Sequence, residues 1–294
     1  MTRLRRKCYG LVASNVKAQM LRAGTISALL ALLAACTCFS QVRIEMIPVV
    51  DGARHETVAQ LETRIFMPMG DGPFPVAILN HGSAGGAPKQ SLAWQREGKY
   101  LSERGYIVIA PMRRGRGKST GVSLESEEKN CATESWLPGL TSAMEDIDAI
   151  IEFSRTLPKV KPHEVLLLGV SRGGFLSIAY SAEGKYRNDV QRVVNLVGGW
   201  VAQAEDKCPV DFNLLSFRKY GPATHTKMLW LYGVNDMFYG DANVYGYFDA
   251  FKSAGGSADF YLIDGVPENG HWLPNHSNKW RPYVERFLFP HLAP

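Results

Sequence analysis

The chain has 294 residues, is 46% hydrophobic and carries 28 Gly and 16 Pro, a globular composition with enough material for one large α/β domain. Its formal charge of +5 comes from the first forty residues, which hold Arg3, Arg5, Arg6, Lys7, Lys17 and Arg22 and no Asp or Glu; from Gln41 onward 33 − 6 = 27 basic residues face 28 acidic ones, a net of −1. The basic balance is therefore no argument for nucleic-acid binding, and no internal repeat or long low-complexity tract is present.

The basic stretch runs into an apolar segment from Ala23 to Phe39, short for a membrane span and interrupted by Gly24, Thr25 and Ser27. This order reads as an export signal over residues 1–40, with Met20 as an alternative start and an anchor or buried N-terminal helix as the structural alternative. A cut after Ser40 leaves Gln41 first and gives a periplasmic or secreted protein. Leu33-Ala34-Ala35-Cys36 instead resembles a lipoprotein signal, in which a lipid on Cys36 is the membrane attachment. Residues 41–294 remain as one domain.

Strand and helix patterns then alternate. Val42–Val50 and Ala59–Met67 read as strands joined by a polar turn at Asp51-Gly52. Pro75–Asn80 is a short continuous apolar run, the mark of a strand buried on both faces. A helical pattern near Gln90–Arg104 ends at Gly105, and Tyr106–Ala110 is another buried strand. Helix Leu140–Leu157 stops at Pro158. Strand Val165–Leu168, helix Phe175–Ser181, strand Val193–Val197 and strand Met228–Tyr232 follow, with Gly198–Thr226 read as loop. Helix Asn243–Ser253, strand Asp259–Ile263 and a helix near Ser277–Leu288 complete the chain. Two opening strands followed by repeated βα units predict a mostly parallel central sheet of about eight strands covered by helices on both faces. Right-handed crossovers then collect the β-to-α loops along one edge, where ligands bind.

Two stretches match Gly-x-Ser-x-Gly. Gly117-Lys-Ser119-Thr-Gly121 also half-matches a phosphate-binding loop, but Met112 stands where that loop needs its first glycine, and no helical face follows Thr120. Neither does a strand lead directly into it, because the preceding one ends at Ala110. Gly169-Val-Ser171-Arg-Gly173 differs: a strand runs straight into it and a helix straight out. Such a turn presents a serine hydroxyl to solvent, and small residues at its flanks let the two backbones pass closely. Ser171 is therefore the candidate nucleophile. It needs a base and a carboxylate to orient that base, in the chain order Ser, acid, His. Asp236 lies three residues past Gly233 at one strand end, and His271 lies in the loop after the last strand. Asp241, Asp264, His276 and His225 are the rivals. An oxyanion would meet the N–H of Arg172, at a helix N-terminus, and of Ser83 in the His81–Gly86 loop. His81 is read as a brace for that loop.

In this order, HGSAGG, RRGRGKSTG, GVSRGG, YGVND and GHW resemble the α/β-hydrolase family, in particular its dienelactone hydrolase and prolyl-oligopeptidase-like branches, over roughly residues 58 to 290. The resemblance implies an α/β-hydrolase fold and turns GRGKSTG into a structural loop near the site. Two departures stand out. The family often has an acid ahead of that loop, where this chain has Met112-Arg113. Dienelactone hydrolases proper use a cysteine where this chain has Ser171.

The expected activity is cleavage of carboxylic esters through an acyl-enzyme, with no cofactor and no metal, on a small-molecule ester or amide. A peptidase or amidase, an acyltransferase and a catalytically idle binding protein are the competing readings. Gly198–Thr226 is too short for a large cap and, with Cys131–Leu140, reads as a small rim. Trp136, Trp200, Phe238 and Trp272 are candidate pocket walls. After an export cut at Ser40 the remaining cysteines are Cys131 and Cys208, both on the catalytic edge and expected to pair as a disulfide in an oxidising compartment.

Overall fold

The computed structural model describes residues 42–83, 94–125, 133–202 and 211–292. Cys131, Cys208, Cys36 and residues 1–40, expected to be an export signal, lie outside them. Eight strands form one sheet: β1 (Val42–Val50), β2 (Thr57–Phe66), β3 (Phe74–Asn80), β4 (Ile107–Pro111), β5 (Val160–Val170), β6 (Val190–Leu196), β7 (Lys227–Gly233) and β8 (Ala258–Ile263). Their order across the sheet is β1-β2-β4-β3-β5-β6-β7-β8. β2 is antiparallel to both of its neighbours, and all other pairs are parallel. The six α-helices among the described residues are α1 (Gln95–Ser102), α2 (Leu137–Ser154), α3 (Arg172–Glu183), α4 (Phe212–Tyr220), α5 (Asp241–Ser253) and α6 (Ser277–Leu288).

The central strands carry unbroken buried runs, Val76–Asn80 in β3, all of β4 and Val165–Gly169 in β5. Side chains of a strand alternate between faces, so a run buried throughout means that both faces of the sheet are covered. This is the α/β-hydrolase arrangement, without a large cap among the described residues. Helix α3 is buried from Arg172 to Ala182, because it starts directly at the carboxyl end of the central strand β5 and lies among β5, β6 and α4.

Helix α4 was not anticipated. Its signals are weak: Asp211 caps it by accepting from Leu214 N at 3.1 Å, and it buries Phe212, Phe217 and Tyr220. Phe217 packs on Trp230 of β7 at 4.9 Å and Phe212 stacks on Phe175 of α3 at 5.9 Å. Nine residues gain their helical state from this aromatic packing more than from their own periodicity.

At the opposite margin β1 ends the sheet. Val42, Ile44, Met46 and Val50 point outward and are exposed, whereas Ile47 and Val49 are buried. Pro48 lies opposite Gln60. The N–H and C=O of Gln60 both turn away from β1, to Thr120 Oγ1 (2.8 Å) and Thr120 N (2.9 Å). In an antiparallel ladder the opposed residue then also faces away from its partner, so the Pro48 nitrogen and carbonyl lie on the open side of β1.

Candidate active site

The carboxyl ends of β3, β5, β7 and β8 deliver four loops to one edge of the sheet. Ser171 stands at the step from β5 to α3 with φ 54° and ψ −125°. A non-glycine residue there is strained by roughly 1–3 kcal/mol. The surroundings enforce it: Ser171 N donates to Leu196 O at 2.9 Å, and its carbonyl accepts from Gly174 N and Phe175 N at 2.9 and 3.1 Å. The flanking glycines are obligatory. A Cβ on Gly169 would sit 2.0 Å from Gly173 O, and one on Gly173 would sit 2.1 Å from Asn80 O. The nearby Gly82 brings the β3 loop within van der Waals reach of Ser171, since a Cβ there would be 3.1 Å from Ser171 Cβ.

The structure brings Asp236 and His271 together. His271 Nδ1 lies 2.9 Å from Asp236 Oδ2 with both side chains buried. Asp236 Oδ1 accepts from Phe238 N (2.8 Å) and Tyr239 N (3.2 Å), so the carboxylate is held in place as a pure acceptor. Nδ1 must then carry the proton, which leaves the Nε2 lone pair free to accept one. Asn269, which sequence reasoning passed over, ties the two loops together. Its Oδ1 accepts from His271 N at 2.9 Å and Met237 N at 3.0 Å. Its position two residues before the histidine at the head of a short helical turn was the available signal. The Phe238 ring lies 4.3 Å from the imidazole at an angle of 33° and fixes its plane.

The rivals are otherwise engaged. Asp241 accepts from Asn235 N at 2.9 Å, and Asp264 is exposed and binds its neighbour Gly265 N. His276 stands at the N-terminus of α6, and His225 is exposed beside the amino end of β7, on the wrong edge. A polar cleft of about 1020 Å³, lined in part by His225, Arg187, Arg192 and Lys227, opens on that opposite edge and takes no part in this constellation.

Below the β3 loop lies a buried charged cluster. Arg113 donates from Nε to Glu125 Oε1 and from Nη2 to Oε2 at 3.1 Å, with both side chains almost wholly buried. Burial alone would raise the Glu125 carboxyl; the Arg113 guanidinium outweighs it and brings the carboxyl down to about 2. Arg116 Nη2 reaches to 4.0 Å from the same carboxylate. Arg172 spends its side chain on backbone, from Nε to Trp200 O and from Nη1 to Glu125 O, both at 2.8 Å. His81 is a brace. Its Nε2 accepts from Arg113 N at 3.0 Å, so Nδ1 donates to Gly82 O at 2.6 Å. Burial, with the Arg113 charge beside it, holds this imidazole down at about 3, neutral at any ordinary pH.

Ser119 has its hydroxyl committed to backbone. Its hydroxyl donates to Met112 O at 2.7 Å and accepts from Glu62 N at 2.8 Å, while Lys118 N donates to Glu62 Oε2 at 2.9 Å. The GRGKSTG loop is stitched along β2. Of the four aromatic residues expected in the pocket, Trp200 is a correction: it is 1% exposed and packs on Phe175 beneath the Arg172 side chain. Trp136 packs on Phe212, and Trp272 is 42% exposed beside His271. Ser83 is described and exposed, whereas Cys131 and Cys208 are outside the described residues. Among the described residues no group of three or more His, Cys, Asp or Glu is placed to hold a metal ion.

The sequence profile of the family described as serine aminopeptidase, S33 matches residues 77–246, more than half of the chain. The chain belongs to this α/β-hydrolase family. A comparison with curated protein sequences finds no match. Among solved structures, a dienelactone hydrolase candidate from Klebsiella pneumoniae shares 17% identity at a TM-score of 0.57, over 85% of this chain and 99% of that one. An esterase from Pyrococcus furiosus shares 16% at 0.58, over 85% and 90%. An acylaminoacyl peptidase from Pyrococcus horikoshii shares 16% at 0.61, over 87% of this chain and 42% of that one. These α/β-hydrolases have the same fold, and the family makes the chain a hydrolase.

Proposed function

We propose that the protein is a serine hydrolase that cleaves carboxylic esters through an acyl-enzyme. Ser171 attacks the carbonyl, His271 takes its proton and later returns one to the leaving alcohol, and Asp236 orients the imidazole. The N–H groups of Arg172 and Ser83 receive the oxyanion, the first at the N-terminus of α3 where the helix dipole adds to the bond. Water then attacks the acyl-enzyme with His271 again as base. The observation that carries this reading is the Asp236–His271 contact, fixed by two further N–H donors on the carboxylate, at the same sheet edge as a serine on a strained strand-to-helix turn.

The aminopeptidase description of the family favours a second reading, an amidase or peptidase with the same triad. An aminopeptidase has to hold a free ammonium group. Of the buried carboxylates described near the site, Asp236 is committed to His271 and Glu125 to Arg113, and the latter has two further arginines around it. These surroundings suit a neutral or anionic substrate better than a cation, which supports the ester. The discriminating experiment is hydrolysis of a chain-length series of aryl esters beside the matching aminoacyl amides, with Ser171→Ala as control. Faster turnover of amides than of esters would overturn the assignment.

The composition of residues 1–40 supports export of this activity, with Gln41 or a lipid-bearing Cys36 as the first residue. The mass of the mature N-terminal peptide distinguishes the two.

A further inference from the structure

The side chain of Arg113 has no place in the triad, yet it is 2% exposed and bonded in three directions. Its Nη1 donates to His81 O at 2.6 Å, its Nη2 lies 3.5 Å from Gly82 O, and its own backbone N–H donates to His81 Nε2. The far side of the guanidinium is locked by Glu125. Gly82 O also receives the His81 Nδ1 proton at 2.6 Å. The carbonyls of residues 81 and 82 are thus both drawn toward the buried cluster.

That has a geometric consequence for the next residue. In a trans peptide the C=O of one residue and the N–H of the next point in opposite directions within one rigid plane. Pulling Gly82 O inward to His81 and Arg113 turns the Ser83 N–H the opposite way, out of the buried cluster, in a loop that passes Ser171 at Gly82. An oxyanion donor is useful only when it is aimed before the charge develops. Here the aim is set by a charge pair buried behind the loop.

We propose that Arg113, clamped by Glu125, is a positioning residue that fixes the Gly82–Ser83 peptide plane so that the Ser83 N–H meets the developing oxyanion. The assignment rests on the serine-hydrolase reading above. Lysine would keep the charge but lose the planar fork that grips Glu125 and two carbonyls at once.

The test compares oxygen and thiono esters of one alcohol on the full chain. Sulfur is larger and a weaker acceptor than oxygen, so a well-aimed oxyanion site favours the oxygen ester strongly, and a misaimed one does not. Arg113→Lys and Glu125→Gln are expected to lower kcat for the oxygen ester by roughly 10- to 100-fold with KM little changed. The oxygen-to-thiono rate ratio should fall with kcat, because the thiono rate is nearly unaffected. A merely structural role would lower both rates together and leave the ratio alone. A ratio equal to that of the wild type in either folded variant overturns the proposal. Two variants are used because Arg113→Lys alone risks loss of the fold, which its circular dichroism reveals. If the wild type shows no Ser171-dependent ester hydrolysis, the ester reading itself falls and takes this one with it; a normal wild type with an unchanged variant ratio falls on Arg113 alone.

Discussion

Ser119 and Ser171 share the Gly-x-Ser-x-Gly pattern, and the fold gives them opposite fates. Ser119 is buried with its hydroxyl used twice, as donor to Met112 O and as acceptor from Glu62 N. It closes a loop against β2. Ser171 sits where a parallel strand becomes a helix, with its backbone, not its hydroxyl, absorbing the local hydrogen bonds. The motif alone does not make a nucleophile. What separates the two is whether the surrounding backbone already satisfies itself and so leaves Oγ uncommitted at the carboxyl edge of the sheet.

The sharpest way to break this contrast is to remove each hydroxyl in turn. Ser171→Ala is expected to lower kcat on the order of 10⁴-fold or more and to abolish labelling by a fluorophosphonate probe. Labelling that persists in Ser171→Ala and disappears in Ser119→Ala would reverse the two assignments. Asp236→Asn comes next, at roughly 10³- to 10⁴-fold in kcat. The amide would still accept from Phe238 N and Tyr239 N, but it can turn its NH₂ toward Nδ1 and favour the wrong tautomer. Near-normal turnover by Asp236→Asn would remove the carboxylate from the mechanism.

The charged cluster behind the His81–Ser83 loop gives a pH signature. The His81 imidazole is held down at about 3 against an ordinary 6.5, so between these values the unfolded chain binds a proton that the folded one refuses. Stability from this group is whole above pH 6.5 and drains away as pH falls toward 3. Glu125, at about 2 against an ordinary 4.5, acts in the same direction over a lower window: its contribution is whole above pH 4.5 and is lost toward pH 2. Asp146, pushed up by burial from 3.8 to about 6, acts in the opposite direction between those values, so the His81 and Glu125 contributions are read as differences between wild type and variant at the same pH. His81→Gln should flatten the upper part of the slope of denaturation midpoint against pH and Glu125→Gln the lower part. A pH slope identical to that of the wild type in both variants would show that neither group is linked to folding.

Ser119→Ala is the mildest change expected. It leaves Glu62 N–H and Met112 C=O without their partner and should cost about 1–3 kcal/mol of stability. Ester turnover per folded molecule should stay at the wild-type level. A loss of activity comparable to that of Ser171→Ala would mean that the loop reaches the chemistry after all.

The parts of this molecule that were legible in the sequence are the local ones. Continuous apolar runs marked β3, β4 and β5 because both faces of those strands are buried, and Gly169 and Gly173 announced a close backbone crossing. The extent of α3 was underestimated: Arg172–Gly174 belong to the helix although none of them carries an apolar signal. What stayed hidden depends on residues far apart. Arg113 and Glu125 lie in a segment without periodicity, and nothing local says that the arginine reaches back to the carbonyls of His81 and Gly82. Trp200 illustrates the same limit, because only the packing of α3 and α4 decides that its ring turns inward. Helix α4 owes its existence to those contacts and could not be read without them.

One consequence of β1 concerns other chains rather than substrates. A strand that ends a sheet offers a row of free amides to any extended segment that comes along, and four exposed aliphatic side chains on its outer face make the offer more attractive. Pro48 stands in the second half of that row with its ring where a donor would be. A chain laid against β1 loses a hydrogen bond there and meets a ring instead of an N–H, so fibre-like growth from this margin is interrupted at that point. A single imino acid thereby protects the β1 margin of the sheet.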